Sequence, residues 1–254
     1  MLLIFTLAPI ATYAADSQLL WLVNRDNALP SIHQPPNLTT HNGIKLRQEA
    51  RDAFVTMLGA MEAAGVPGLR LQSAYRSYAH QQAVFNQRVG ELQRAGYIRR
   101  EAEQKAALSV QPPGASEHQL GLALDVSIDG KLTQAFGETA AGQWLAAHCH
   151  NYGFIVRYPR DKNAVTGIVY EPWHLRYVGV PHAAVMHAQA LALEEYATYM
   201  QTVQMYVVWE DDGYFLLSYN EAMPAQAADM ADISSTGPGR TGYIATLRRT
   251  GSRK

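Results

Sequence analysis

Apolar positions along the chain fall into helical and strand periods, with helices concentrated early and strands later. From Ile44 to Ala64, Leu46, Ala50, Phe54, Met57, Leu58 and Met61 recur at spacings of three and four. That stripe predicts an amphipathic helix, which Gly65 and Pro67 end. Tyr78 to Ala95 repeats the pattern with Val84, Phe85, Val89 and Leu92 and closes at Gly96, and Glu101 to Leu108 gives a shorter third helix. Further helices are expected over Thr139 to Asn151 and Ala183 to Met200. Short apolar runs predict strands at Leu69 to Ser73, Leu122 to Ile128, Phe154 to Tyr158 and Leu175 to Val180. Leu19 to Asn42, rich in Pro, Asn, Thr and His without a period, reads as an extended arm, and Val110 to Gly114 as a loop. This order argues for an α+β fold rather than a βαβ repeat.

The last fifty residues differ. Met205 to Trp209 and Tyr214 to Tyr219 flank an acidic stretch ending in Gly213 and predict a β-hairpin, with Tyr243 to Leu247 as a further strand. Residues 203–254 therefore form a small β-rich appendage in which no chemistry is visible. At the other end, residues 1–15 are a short apolar run closing on Thr12, Ala14 and Ala15, like the core and cleavage region of a secretory signal, although no Lys or Arg precedes it. The remaining division, 16–200, is the main domain.

Composition narrows the function classes. With 48% hydrophobic and 17% charged residues, the chain can bury a core, and a formal net charge of -1 gives no basic balance for binding nucleic acid. Beyond the N-terminal run no apolar stretch is long enough to cross a bilayer as a helix. Cys149 is the only cysteine, so no intramolecular disulfide forms and any metal must be held by His and carboxylate.

Three segments carry candidate chemistry. In Ser116-Glu117-His118-Gln119-Leu120-Gly121-Leu122-Ala123-Leu124-Asp125, an odd offset would put His118 and Asp125 on opposite faces of one strand. They converge only if the chain turns at Gly121. Asp125 sits in an apolar run, where an unpaired carboxylate is costly and a cation would offset the cost; a solvated strand face and a satisfied loop histidine are the plainer alternatives. In Tyr170-Glu171-Pro172-Trp173-His174-Leu175-Arg176-Tyr177, His174 offers a neutral nitrogen and Glu171 a proton acceptor, against the alternative of a packed turn. In Ser73-Ala74-Tyr75-Arg76-Ser77-Tyr78, Arg76 offers a fork for a carboxylate, with Gln81 beyond; a surface salt bridge is equally compatible. His148-Cys149-His150 ends a helix with side chains that diverge, and is not read as a metal cluster. Tyr75, Trp173 and Tyr177 are candidates for a pocket lining or for the core.

Together the three blocks, in this order, resemble the VanY (LAS) group of bacterial metallopeptidases, along with Leu22-Val23-Asn24-Arg25 and Gly153-Phe154-Ile155-Val156-Arg157-Tyr158-Pro159. The likeness runs from about Trp21 to Tyr196; Ala74 stands where members often carry Gly. The resemblance implies an α+β, LAS/Hedgehog-like peptidase domain with an antiparallel sheet and flanking helices. It implies Zn2+ on His118, Asp125 and His174, Glu171 as catalytic base, and Arg76, Gln81 and Ser116 at the substrate. The implied activity is a D-alanyl-D-alanine carboxypeptidase acting on peptidoglycan stem peptides outside the cytoplasm, with no protein partner. An L,D-carboxypeptidase acting on tetrapeptide stems and a noncatalytic wall-binding module are the alternatives.

Overall fold

A computed structural model describes residues 16–224, 230–237 and 242–250. The signal-like run at 1–15 and most of the glycine-proline turn at 237–239 lie outside the described residues. The chain opens with a hairpin, β1 (Leu38–His41) and β2 (Ile44–Arg47), closed by Asn42 at φ 50 and Gly43 at φ 81. A type I′ two-residue hairpin turn needs positive φ at both central positions, which Asn-Gly supplies. The helix expected from Ile44 therefore begins four residues later, as α1 (Gln48–Ala63), burying Ala50, Phe54, Met57 and Met61. After β3 (Arg70–Ser73), helices α2 (Tyr78–Arg94) and α3 (Arg99–Ala106) pair through Phe85, Val89, Leu92, Ala102 and Ala106.

The central sheet has the order β3-β4-β6-β5 and is antiparallel throughout, with β4 at Ala123–Ser127, β5 at Phe154–Tyr158 and β6 at Glu171–Tyr177. Helix α4 (Ala140–His148) and the single turn α5 (Asn163–Thr166) lie between these strands in sequence. Two expectations shift. Strand β6 starts at Glu171 rather than Leu175, and Val180 opens helix α6 (Val180–Ala188) instead of ending the strand. Pro172 disguised the strand, because a proline cannot donate to a ladder. It is accommodated where Val156 pairs with Leu175 but Tyr158 pairs with Glu171, an irregularity that gives β6 extra residues there. A second irregularity lies between Leu71 and Ser73 on β3. Such bulges bend a strand and re-aim its side chains, and these two flank one row of directly opposed residues, Ser73, Asp125 and His174.

The helix expected over Ala183 to Met200 is two helices, α6 and α7 (Leu193–Val203), parted at Ala190 with φ 50. They share a second core with the C-terminal sheet, ordered β7-β8-β10-β9. Its strands are β7 (Met205–Glu210), β8 (Gly213–Asn220), β9 (Asp232–Ser235) and β10 (Tyr243–Thr250); β9 had no signal in the sequence pattern. The N-terminal arm is stitched to this sheet by Ser17 N–H donating to Ile233 O at 2.9 Å and Leu20 N–H to Ser234 Oγ at 2.9 Å.

His182 of α6 lies inside this second core, with Nδ1 2.8 Å from Tyr196 Oη and Nε2 3.2 Å from Thr246 Oγ1. Burial pushes its pKa down to about 3. The unfolded chain binds a proton below about pH 6.5 that the folded chain refuses, so stability is full above that pH and falls on acidification. The loss reaches ~1.4 kcal/mol per pH unit and ends near the folded pKa. Denaturant titrations between pH 6.5 and 3 should show a shallower acid slope for His182→Gln than for the wild type. Equal slopes would refute the assignment.

Candidate metal centre and cleft

His118 reaches Asp125 by the turn the sequence required. Glu117–Leu120 form one 3-10 turn, stopped by Gly121 at φ 70. A Cβ there would meet Leu38 and Arg47 at 3.2 Å, so both conformation and space call for glycine. The chain then enters β4 with His118 turned back over it. His118 Nε2 lies 3.3 Å from Asp125 Oδ2, and His174 Nδ1 lies 3.1 Å from Asp125 Oδ1. The two rings meet edge to face, 5.0 Å between centroids. One ligand atom from each of the three residues falls within 4.8 Å of the others, and all three residues are buried.

The donor set fits a divalent metal on electrostatic grounds. His118 Nδ1 sits 2.6 Å from Ala74 O, which can only accept, so that nitrogen carries the proton. Burial first, then Arg76, brings the His118 pKa down to about 4, so the ring is neutral at pH 7. Its Nε2 therefore turns a lone pair toward the Asp125 carboxylate. Asp125, buried between the two imidazoles, has its pKa held well below the usual carboxylate range and stays ionised, and Arg76 Nη2 donates to its Oδ2 at 2.6 Å. A buried lone pair facing a buried carboxylate is repulsive unless a cation lies between them. Two imidazoles and one carboxylate are the protein ligands of an open catalytic zinc site.

A family model described as VanY, D-alanyl-D-alanine carboxypeptidase, matches residues 43–180. The chain belongs to this family. It is 36% identical over 198 residues to the bifunctional D-Ala-D-Ala dipeptidase and D-Ala-D-Ala carboxypeptidase VanXYC of Enterococcus gallinarum, covering 74% of this chain and 98% of that protein. Among solved structures, it resembles a vancomycin resistance D,D-pentapeptidase VanY variant in complex with Zn(II), with TM-score 0.63 and 37% identity over 70% of this chain and 98% of that one. It resembles the LdcB LD-carboxypeptidase similarly, with TM-score 0.62 and 40% identity over 70% and 85% of the two chains. These likenesses also carry the α+β, LAS-type architecture.

In this VanY-family chain the three ligand candidates line a cleft of about 350 Å³ that also takes in Arg76, Gln81, Ser116 and Glu171. All seven residues that the resemblance implied for the site thus share one cavity. Glu171 Oε2 lies 3.8 Å from His174 Nδ1, and burial, then the charge of Asp125, raises its pKa well above the ordinary value. Arg76 Nη2 donates to Asp125 Oδ2 and to Ser73 Oγ, both at 2.6 Å, and Gln81 Nε2 donates to Gln111 O at 2.7 Å. Trp173 lines the cleft, whereas Tyr177 packs on Phe154 in the core. Cys149 is buried, its thiol pushed up to about 12 by desolvation, and His148 and His150 contact Trp144 and His187 respectively.

Sequence reasoning missed the buried ion network behind the cleft. Arg157 Nε donates to Glu117 Oε1 at 2.8 Å, and Arg176 Nη1 lies 3.0 Å from the same oxygen. Arg157 also grips Glu194 of α7 with two bonds, at 2.6 and 2.9 Å. Arg176 Nη2 donates to Leu19 O and Trp21 O, which pins the N-terminal arm beneath β6. Burial would raise the Glu117 pKa, but Arg157, Arg176 and His174 draw it below the usual value. The signal was visible as two arginines within strand runs, Arg157 and Arg176, since a buried arginine needs an acidic partner.

Proposed function

We propose that this chain is a zinc-dependent D-alanyl-D-alanine carboxypeptidase that removes the terminal D-Ala from peptidoglycan stem peptides. The observation that carries this reading is the buried cluster of His118, Asp125 and His174 beside Glu171 in one open cleft. The cavity also holds an arginine, which suits a substrate ending in a free carboxylate.

His118 Nε2, an Asp125 oxygen and His174 Nδ1 would hold the zinc. Zinc so held would supply Lewis-acid polarisation of a scissile carbonyl and a water with its pKa lowered to about 7. The rest is done by side chains. Ala74 O fixes the His118 tautomer that leaves Nε2 free to ligate. Arg76, with Gln81 and Ser116, would hold the terminal carboxylate and so set which amide lies beside Glu171 and the three ligand candidates. Glu171 takes a proton from the attacking water and returns it to the departing amine of D-Ala. Its raised pKa suits a group that must keep that proton between the two transfers. The catalytic unit, 16–200, holds every one of these residues, and 203–254 is an accessory sheet. The substrate places the enzyme outside the cytoplasm, and no described helix is long and apolar enough to cross a membrane.

Likeness to the LdcB LD-carboxypeptidase at 40% identity favours a second reading, cleavage of the L,D bond of tetrapeptide stems by the same residues. Defined pentapeptide and tetrapeptide muropeptides, incubated with zinc-loaded protein and analysed by mass, separate the two. Chelator-sensitive loss of one D-Ala from the pentapeptide is expected. Loss from the tetrapeptide alone would move the enzyme to the L,D class, and no cleavage of either would overturn both readings.

A further inference from the structure

Two buried polar atoms beside the proposed metal site lack partners among the described residues, and their chemistries are complementary. His174 turns Nδ1 toward Asp125 and Glu171, so as a neutral metal ligand it keeps its proton on Nε2. That Nε2 is buried and makes no hydrogen bond. Glu117 is 1% exposed and lines the same cleft. Its Oε1 accepts from Arg157 and lies 3.0 Å from Arg176 Nη1 in an ion pair, while its Oε2 is buried and accepts no hydrogen bond. Topology brings the two together. Residues 174 and 176 are alternate positions on β6, paired regularly with Asp125 and Ala123, so His174 and Arg176 project from one face. Glu117 rests on Arg176 on that face.

We infer that Glu117 is a positioning residue for His174, its Oε2 accepting the His174 Nε2 proton directly or across one buried water. This inference rests on the zinc reading above. It completes a carboxylate–imidazole–metal relay of the kind that fixes a ligand ring's orientation and raises its basicity. Arg157 and Arg176 serve it in turn by fixing the carboxylate and keeping it ionised. The relay also gives the Glu117-His118 pair a double use. One residue is a candidate metal ligand, and its neighbour orients another ligand from the opposite strand.

Glu117→Gln is the informative change. Two guanidinium groups demand an acceptor, so the amide oxygen turns to them and the amide NH2 faces the Nε2–H of His174, donor against donor. Zinc affinity of the full chain, measured by chelator competition, should fall about 10–100-fold. Glu194→Gln cuts the same network on its far side and should leave zinc affinity within about twofold, whatever it does to melting temperature. Gln111 Oε1 is another buried acceptor without a partner in the cleft, so Gln111→Ala is the second control, with the same expectation.

Wild-type affinity in folded Glu117→Gln would overturn the inference. So would an equal loss in Glu194→Gln, which would make the network merely structural, or a loss confined to Gln111→Ala. If Glu117→Gln fails to fold, nitrogen NMR of the zinc-loaded wild type decides instead. A His174 Nε2 proton in slow exchange supports the relay, and one exchanging freely with water overturns it. Failure of the wild type to bind zinc would sink the metal reading itself, whereas a change confined to these variants concerns Glu117 alone.

Discussion

Asp125→Asn should yield a folded protein that holds no zinc through dialysis and shows turnover no higher than the buffer blank. Asp125 is the centre of the row, with one oxygen toward each imidazole. Asparagine keeps the shape and one acceptor but removes the only charged member of the candidate ligand set, leaving two neutral nitrogens and an amide to face a divalent ion. Loss of an outer partner alone costs 10–100-fold in metal affinity, and loss of a direct charged ligand should exceed about 100-fold. His118→Ala is the companion and should behave alike. Metal content by elemental analysis, circular dichroism for the fold, and muropeptide turnover form the test. A folded Asp125→Asn chain that retained one zinc would remove Asp125 from the ligand set.

The make-up of this site was read from the resemblance of three sequence blocks to the VanY group, whereas spacing alone left His118 and Asp125 open to plainer readings. His118 and Asp125 lie seven residues apart with a glycine between, and the structure supplies the turn that the spacing demanded. Helix α2 could be read from period, because Phe85, Val89 and Leu92 form one stripe packed against α3, and β5 from its short apolar run, which is buried on both faces. Failures came where a local device overrode period. Leu46 fits the helical spacing of α1, yet the Asn42-Gly43 turn commits it to a strand. Pro172 hid the start of β6, although a bulge makes room for it. Ala190 broke a helix that the apolar pattern would have continued, since no glycine or proline marks the break.

The Glu117 network was not legible for a different reason. Its members come from four segments, at 117, 157, 176 and 194, and a buried ion pair leaves no periodic trace. Only the finished sheet shows that Arg157 and Arg176 enclose one carboxylate. The same holds for the C-terminal sheet. Its hairpin could be read from the turn at Gly213, but the core it shares with α6 and α7 appears only when Leu217 and Ile244 are seen against Met186, Tyr196 and Met200.

Glu171→Gln should separate catalysis from metal binding. Glu171 lies beside the ligand cluster, 3.8 Å from His174 Nδ1, without belonging to the set of three. Glutamine fills the same space and leaves His118, Asp125 and His174 undisturbed, so zinc content should stay near one per chain. What disappears is the proton acceptor, and removing a positioned general base costs about 10²–10⁴-fold in kcat. KM should change little, because the proposed substrate contacts, Arg76, Gln81 and Ser116, are left unaltered. The pH profile gives an independent check. Burial and the charge of Asp125 raise the Glu171 pKa, and a bound cation pulls it back. The base must be ionised to act, so kcat/KM of the wild type should rise with pH along an acid limb governed by this carboxyl. That limb should vanish in Glu171→Gln along with the rate. A variant that kept its zinc, its rate and the acid limb would move the proton transfer to another group in the cleft.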